Sequence, residues 1–310
     1  MDAFEALRDE PHVYLVGGAV RDELLGRTPK EYDFVVEGDA IAVARRAAER
    51  LDGELTVHER FGTATIRTGA DSFDLTSART ETYAHPGALP TVTLGASIEQ
   101  DLARRDFTIN AMARRLADGT RISHPAAQDD LRAGVLRVLH DRSFVDDPTR
   151  MLRLVRYANR LGFQPDPHTE ALVDLELLKT VSQDRVNREI RLLLQEAPHL
   201  LGEYGALSDV PEVVAALRLH DKVDVSDADL WRLLRRERAE TIDLLVAAGN
   251  EGARRYRDDV SRRRLEIGGR DLIDRGLQGA QIGAGLEKAT VAMLEGRAPD
   301  RAAQLEAALS

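Results

Sequence analysis

Residues 17–22 read Gly-Gly-Ala-Val-Arg-Asp and stand between a short β-rich run and the start of a helical pattern. A glycine pair at such a turn lets the backbone approach a phosphate, and the N–H groups opening the helix attract the anion. Gly18 is therefore a candidate phosphate contact, and Arg21 on the first helical turn adds a cation on the same side. An ordinary tight turn accounts for the same pair. About nine residues on, Glu31 and Asp33 stand at i and i+2 at the start of a strand, so both carboxylates project from one face. Two anions held that close make sense around a divalent cation, and hard oxygen donors select Mg²⁺ or Mn²⁺. Asp74, in the run FDLTSAR, supplies a third carboxylate if its strand lies beside the first. Acids holding two metals are the usual machinery of phosphoryl and nucleotidyl transfer. A solvated strand face with surface acids has the same spacing.

The third constellation is Asp146-Asp147-Pro-Thr-Arg150-Met-Leu-Arg153-Leu-Val-Arg156. Helical spacing puts Asp147 and Arg150 one turn apart, with Arg153 and Arg156 continuing along the flank. One reading is a surface ion pair worth on the order of a few tenths of a kcal/mol. The other follows from hydrogen-bond inventory: carboxylate only accepts and guanidinium only donates. Cytosine and adenine both offer an exocyclic amine beside a ring-nitrogen acceptor, so one Asp–Arg pair reads either base. Uracil and guanine place a carbonyl where that amine would be, and are refused.

These groups need elements to hold them. His12–Val16 reads as a strand, Ala19–Leu25 as the start of a helix and Tyr32–Val36 as a second strand. A helix follows from about Asp39 to Leu51, then strands at Glu54–Val57, Thr63–Arg67 and Phe73–Ser77. Thr80 to Gly95 contains proline and glycine and reads as a loop. Ser97 with Gln100 fits a capping box that opens a helix through DLARRDFTINAMARRL. From Asp129 onward the periodicity is helical and no strand is expected. Pro211, Asn250-Glu251-Gly252 and Gly268-Gly269 are plausible breaks between helices. The expected class is α+β: a small mixed sheet with helices packed on it, then an all-helical arm.

At 310 residues the chain is long enough for two or more domains. It has no cysteine, which excludes disulfide scaffolds, thiolate metal sites and cysteine nucleophiles. No apolar run approaches the length needed to cross a bilayer, so the expectation is a cytoplasmic protein with no membrane partner. With 43 basic and 53 acidic residues the net charge is −10, so any contact with nucleic acid is confined to a local basic face. Nearly all the basic residues are arginine, a skew that codon bias explains as well as function does.

Together GGAVRD, the carboxylates of EYDFVVEG, the RRDFTINAMA run and DDPTRMLRLVRYANRLGF resemble the class II tRNA nucleotidyltransferases and their poly(A) polymerase relatives. The likeness covers most of residues 12–165 and continues more faintly in LEIGGRDLIDRGL. It implies a polymerase-β-like head at 1–125, a neck with a base-templating helix at 126–200, and an RNA-binding body and tail at 201–310. By position it also implies that Gly18 and Arg21 contact a triphosphate, and that Glu31 and Asp33 hold the metals with Asp74 as a third acid. Arg105 would meet the incoming nucleotide, with Asp106 and Asn110 bracing the neighbouring strand and helix. Asp147 and Arg150 would template the base; Arg153 and Arg156 would meet phosphate or sugar. The implied substrates are ATP and CTP, the partner is tRNA, and the product is a 3′ end extended by CCA or by the terminal A alone.

Three departures stand out. Glu31 occupies a position usually held by aspartate. His124-Pro125-Ala126-Ala127-Gln128 replaces a longer Asp-Pro-aromatic-Gly-Gly stretch. The region from about Ala197 to Arg262 is compact for the family. DFVVEGDAI with ARTETYAHPGALP resembles the A-adding branch somewhat more than the CCA-adding one. Glu31 and the altered neck stretch also motivate a catalytically silent RNA- or nucleotide-binding relative as the alternative. A phosphohydrolase built on His140-Asp141 or His220-Asp221 lacks its other ligands at suitable spacing.

Overall fold

A computed structural model describes residues 2–69 and 71–310, which divide into two compact units, Met1–Arg185 and Val186–Ser310. The division falls in the first turn of a helix at Gln183–Glu196.

The first unit is built on a mixed sheet. Its strands are β1 (Val13–Val16), β2 (Asp33–Val36), β3 (Glu54–His58), β4 (Thr63–Thr68), β5 (Asp71–Ser77), β8 (Met112–Arg115) and β9 (Arg121–Ser123). Their order across the sheet is β3-β4-β5-β2-β1-β8-β9. β1 is central, antiparallel to β2 and β8, and its four residues Val-Tyr-Leu-Val are all buried. A strand covered on both faces reads as a continuous apolar run, and this one does. β2 and β5 are the parallel pair, with Asp33 opposite Asp74. Sheet partners point to the same face, so this register is what brings the two carboxylates together.

Helices cover the sheet. α1 (Ala3–Leu7) and α2 (Gly18–Leu24) flank β1 in sequence; α3 (Ala40–Leu51) packs on β4 and β5. Asp39 caps α3 through Ala42 N–H at 3.0 Å, and Val43, Ala44, Ala47 and Ala48 form its buried stripe. The sheet residues Tyr14, Val16, Val35, Ala111 and Ala113 pack with Ile98 and Leu102 of α4 (Ile98–Ala103). Each such aliphatic side chain contributes on the order of 2 kcal/mol by leaving water.

Three expectations change. Thr80–Gly95 is not a plain loop: β6 (Arg79–Thr82) and β7 (Thr91–Leu94) form an antiparallel hairpin. The capping box at Ser97 and Gln100 is present, but α4 stops at Ala103 instead of running through RRDFTINAMARRL. That run becomes a 3₁₀ turn at Thr108–Asn110 and then β8, because Phe107, Ile109, Ala111 and Met112 are all claimed by the sheet core. Beyond Asp129 a short parallel pair does occur, β10 (Val135–Leu136) with β11 (Gln164–Pro165). The remaining helices of this unit are α5 (Ala127–Ala133), α6 (Ser143–Asp146), α7 (Thr149–Leu161), α8 (Pro167–Ala171) and the start of α9 (Gln183–Glu196).

The second unit is helical among its described residues. It contains α10 (Leu201–Tyr204), α11 (Pro211–Leu219), α12 (Asp227–Leu234), α13 (Ala239–Ala247), α14 (Glu251–Asp258), α15 (Gly269–Ile273), α16 (Ala280–Leu294) and α17 (Arg301–Leu309). The expected breaks fall at helix starts: Pro211 opens α11, Asn250 caps α14 and Gly268 precedes α15. Ile267, Leu272, Ala289 and Ala308 form the core of its last three helices. Among the described residues no helix is long and apolar enough to cross a membrane.

Candidate active site

The glycine turn comes first. Gly17 has φ 67° and ψ −128°, a conformation open to glycine and strained for other residues. Its N–H donates to the Met112 carbonyl at 2.9 Å, which ties the turn to β8. A Cβ at Gly17 would lie 2.7 Å from a terminal guanidinium nitrogen of Arg105, so that side chain closes directly over the turn.

Arg21 lies beneath the turn. It is 1% exposed and does not line the cleft. Its guanidinium donates to Asn110 Oδ1 at 2.6 Å and to Asp22 Oδ1 at 2.8 Å, and it stands over the Tyr157 ring at 5.5 Å. Asn110 in turn donates to Asp106 Oδ1 at 2.9 Å. Arg153 donates to Asp106 Oδ2 at 3.4 Å and to Asp147 Oδ2 at 2.7 Å. A continuous polar chain thus runs from the glycine-turn helix through the 3₁₀ turn to α7. Burial opposes the Asp106 anion, but Arg153, Asn110 and Arg150 hold its carboxyl below the usual carboxylate range. Buried networks of this kind fix a unique arrangement only when their members are satisfied.

The three acids gather around the start of β2. Asp33 opens β2 and lines the cleft; Asp74 is its register partner on β5 and accepts from Thr65 Oγ1 at 2.6 Å. Glu31 is exposed and precedes β2 by two residues. Asp33 is exposed at the start of β2, but the protein on its inner side raises its carboxyl above the usual range; Arg105 pulls it back, and the charges of Asp74 and Glu31 add to the rise. A carboxylate in that position gains from a cation. The donors are hard oxygens open to water, which fits Mg²⁺ or Mn²⁺ held by one or two carboxylates plus water and phosphate oxygens. Among the described residues no three acidic or histidine side chains are close enough to hold a metal by themselves.

The cleft encloses about 420 Å³. Gly17, Gly18, Asp33, Arg105, Asp147, Arg150 and Arg153 all line it. Of the residues singled out in the sequence, Arg21, Glu31, Asp74 and Arg156 do not line it. Arg156 stacks on Tyr157 at 5.1 Å. Asp147 and Arg150 do not form the surface ion pair that was one reading of their spacing. Arg150 donates to Ser143 Oγ at 2.8 Å and to the Arg104 carbonyl at 2.7 Å. Asp147 accepts from Arg153, Arg185, and both the backbone and hydroxyl of Thr149.

Sequence reading missed a second group of lining residues: Arg79, Glu81, Tyr83, Arg104, Tyr157 and Arg185. Glu81 accepts from Arg104 at 2.9 Å, from Arg79 at 3.2 Å and from the Tyr83 hydroxyl at 3.0 Å. Burial first, and then the charge of Glu81, pushes the Tyr83 phenol up to about 12. Asp101 is fully buried, yet Arg105 and Arg104 hold its carboxyl below the usual range against that burial. The signal for Arg79, Glu81 and Tyr83 was their period-2 spacing across the start of the run read as a loop. No sequence pattern marks Arg185. His140 and His220 have no metal set around them among the described residues. Burial and the nearby Arg150 lower the His140 imidazole, and His220 contacts Asp221 at 2.9 Å.

Residues 13–137 match the poly(A) polymerase head domain. A-adding tRNA nucleotidyltransferase of Aquifex aeolicus is 43% identical over 219 residues, 68% of this chain and 26% of that protein. A-adding tRNA nucleotidyltransferase of Halalkalibacterium halodurans is 42% identical over 196 residues, 60% of this chain and 45% of that protein. The chain therefore spans less than half the length of these curated relatives. The solved Thermotoga maritima CCA-adding enzyme complexed with tRNA superposes with a TM-score of 0.70 at 27% identity, covering 96% of this chain and 90% of that one.

Proposed function

The chain belongs to the tRNA nucleotidyltransferase and poly(A) polymerase family, and from that premise we propose that it extends the 3′ end of tRNA. It transfers AMP, or CMP and AMP, from the nucleoside triphosphate to the terminal 3′-hydroxyl and releases pyrophosphate. The observation that carries this reading is one cleft with two chemistries: Asp33 and the glycine turn line the same cleft as Asp147 and Arg150. Such a cleft suits a triphosphate at the acids and a base at the helix.

In this mechanism Gly17 and Gly18 leave room for the triphosphate against the backbone. Arg105, poised over the turn, supplies positive charge to it. Arg21 acts from beneath, by holding α2 to Asn110. Asp33, with Glu31 and Asp74 contributing, would hold Mg²⁺ or Mn²⁺, which lowers the pKa of the attacking hydroxyl and neutralises the departing pyrophosphate. Asp147 accepts from the base amine and Arg150 donates to the adjacent ring nitrogen once it leaves Ser143 and Arg104. Arg153 lines the cleft and can meet phosphate or sugar, whereas Arg156 lies outside it against Tyr157. Residues 1–125 would serve as head, 126–200 as neck, and 201–310 as the body and tail that bind tRNA, with the protein at work in the cytoplasm.

Both curated relatives named above are A-adding enzymes, which favours addition of the terminal AMP to tRNA already ending in CC. The test is incorporation of labelled ATP and CTP into two tRNAs, one lacking CCA and one ending in CC. Label from ATP on the CC-ending tRNA alone identifies the A-adding activity. No incorporation on either tRNA, with Mg²⁺ or Mn²⁺ present, would support the catalytically silent alternative.

A further inference from the structure

Asp147 can accept about four hydrogen bonds through its two oxygens. Oδ1 is fully taken: Thr149 N–H at 3.1 Å, Thr149 Oγ1 at 2.6 Å and Arg185 Nη2 at 2.9 Å all donate to it. Oδ2 receives one donor, Arg153 Nη2 at 2.7 Å, which leaves it acceptor capacity on a residue that lines the cleft. The second terminal nitrogen of Arg185 donates to the Gly87 carbonyl at 3.0 Å, at the tip of the β6–β7 hairpin. That tip is itself seated beside the same helix: Gly87 N–H donates to the Val145 carbonyl at 3.2 Å. Gly87 has φ 70°, and a Cβ there would lie 2.4 Å from Thr180 Oγ1, so the backbone is held close at this point.

We propose that Arg185 is a specificity-determining positioning residue: by clamping Asp147 Oδ1 from the hairpin side it leaves Oδ2 as the single oxygen that can receive a base amine. The inference rests on the transferase reading above. A carboxylate with one open acceptor site has one plane and one direction in which to meet an incoming amine. Without Arg185, Thr149 and Arg153 still hold the group, but Oδ1 loses its donor from the hairpin side and can compete with Oδ2 for an amine, so the direction of acceptance is no longer unique. Arg185 touches Asp147 and the hairpin backbone, and acts on the base only through Asp147. Its removal should therefore appear in base choice before it appears in the chemistry of transfer.

Two variants separate positioning from packing. Arg185→Met keeps length and apolar stem but donates nothing; Arg185→Lys keeps a charged donor. Steady-state kcat and KM are measured for ATP, CTP, UTP and GTP on one primer tRNA, using the full chain. For Arg185→Met the preference for the accepted base over uracil should fall by about tenfold, within the range that a base-reading contact supplies. The change should lie in that ratio and in KM rather than in kcat on the accepted nucleotide. Arg185→Lys should recover most of the preference. An unchanged ratio in Arg185→Met, or an equal loss in Arg185→Lys, would overturn the proposal. A wild-type protein that transfers nothing from any triphosphate would instead sink the transferase reading beneath it.

Discussion

Asp147 and Arg150 share a backbone hydrogen bond, Arg150 N–H to the Asp147 carbonyl at 3.0 Å, while their side chains turn to separate partners. Asp147 is claimed by Arg153, Arg185 and Thr149; Arg150 is claimed by Ser143 and the Arg104 carbonyl. The junction of α6 and α7, with Asp147 extended just before α7 and Arg150 in its first turn, therefore presents an acceptor and a donor without letting them neutralise each other.

Base choice follows from that arrangement. Asp147→Asn can leave its oxygen toward Arg185 and Thr149 and set an amide N–H where Oδ2 stood, with loss of the hydrogen bond from Arg153. That donor would meet the carbonyl of uracil or guanine. The preference for adenine and cytosine should drop by about five- to a hundredfold, corresponding to roughly 1–3 kcal/mol of discrimination. Arg150→Ala should depress use of the accepted bases without admitting uracil. The measurement is kcat/KM for all four triphosphates; an unaltered ratio in Asp147→Asn would mean that the base is read elsewhere.

Asp33 links activity to stability. Its carboxyl is raised above the ordinary value, so the native state holds that proton more tightly than the unfolded chain does. The ionised group consequently opposes folding, with no effect below the ordinary carboxylate pKa of about 4 and a growing one as pH rises through the raised value. Asp33→Asn should abolish transfer and raise Tm, more at pH 7 than at pH 4. Mg²⁺ should raise the Tm of the wild type and leave the variant unmoved. Glu31→Asp should match or exceed wild-type activity. Near-normal turnover in Asp33→Asn would show that the metal is held by other groups.

Gly17→Ala meets two obstacles, a positive φ and the Arg105 guanidinium 2.7 Å from the new methyl. Backbone strain of this kind costs about 1–3 kcal/mol. Thermal melts should show a lower Tm, and the KM for nucleotide should rise because Arg105 is displaced. Unchanged values of both would mean that the turn relaxes freely.

The charge balance constrains the RNA contact. At a net charge of −10, the proposed contact with tRNA has to use a limited basic surface. Affinity measured between low and physiological salt should decline with a slope set by a handful of phosphate contacts. A salt-independent affinity would point to a protein partner in place of RNA.

Local chemistry was largely legible in the sequence. The glycine turn, the Asp39 and Ser97 caps, the apolar β1 run and the helix breaks at Pro211 and Asn250 depend on nearest neighbours and on period, which the chain carries in plain order. The residue types that can hold a metal or read a base were also visible, because charge and hydrogen-bond capacity belong to the side chain itself. Partnership was not. Sequence spacing suggested that Arg21 faces a phosphate, whereas Asn110, eighty-nine residues away, draws it under the turn. RRDFTINAMARRL has an acceptable helical pattern, but an open place beside β1 recruits Met112–Arg115 as a strand. Arg185 belongs to no motif, and reaches Asp147 and Gly87 only because the chain folds back on itself. Long-range contacts decide which of several locally acceptable states a segment adopts, because they bury apolar surface and satisfy polar groups that no neighbour in sequence can reach.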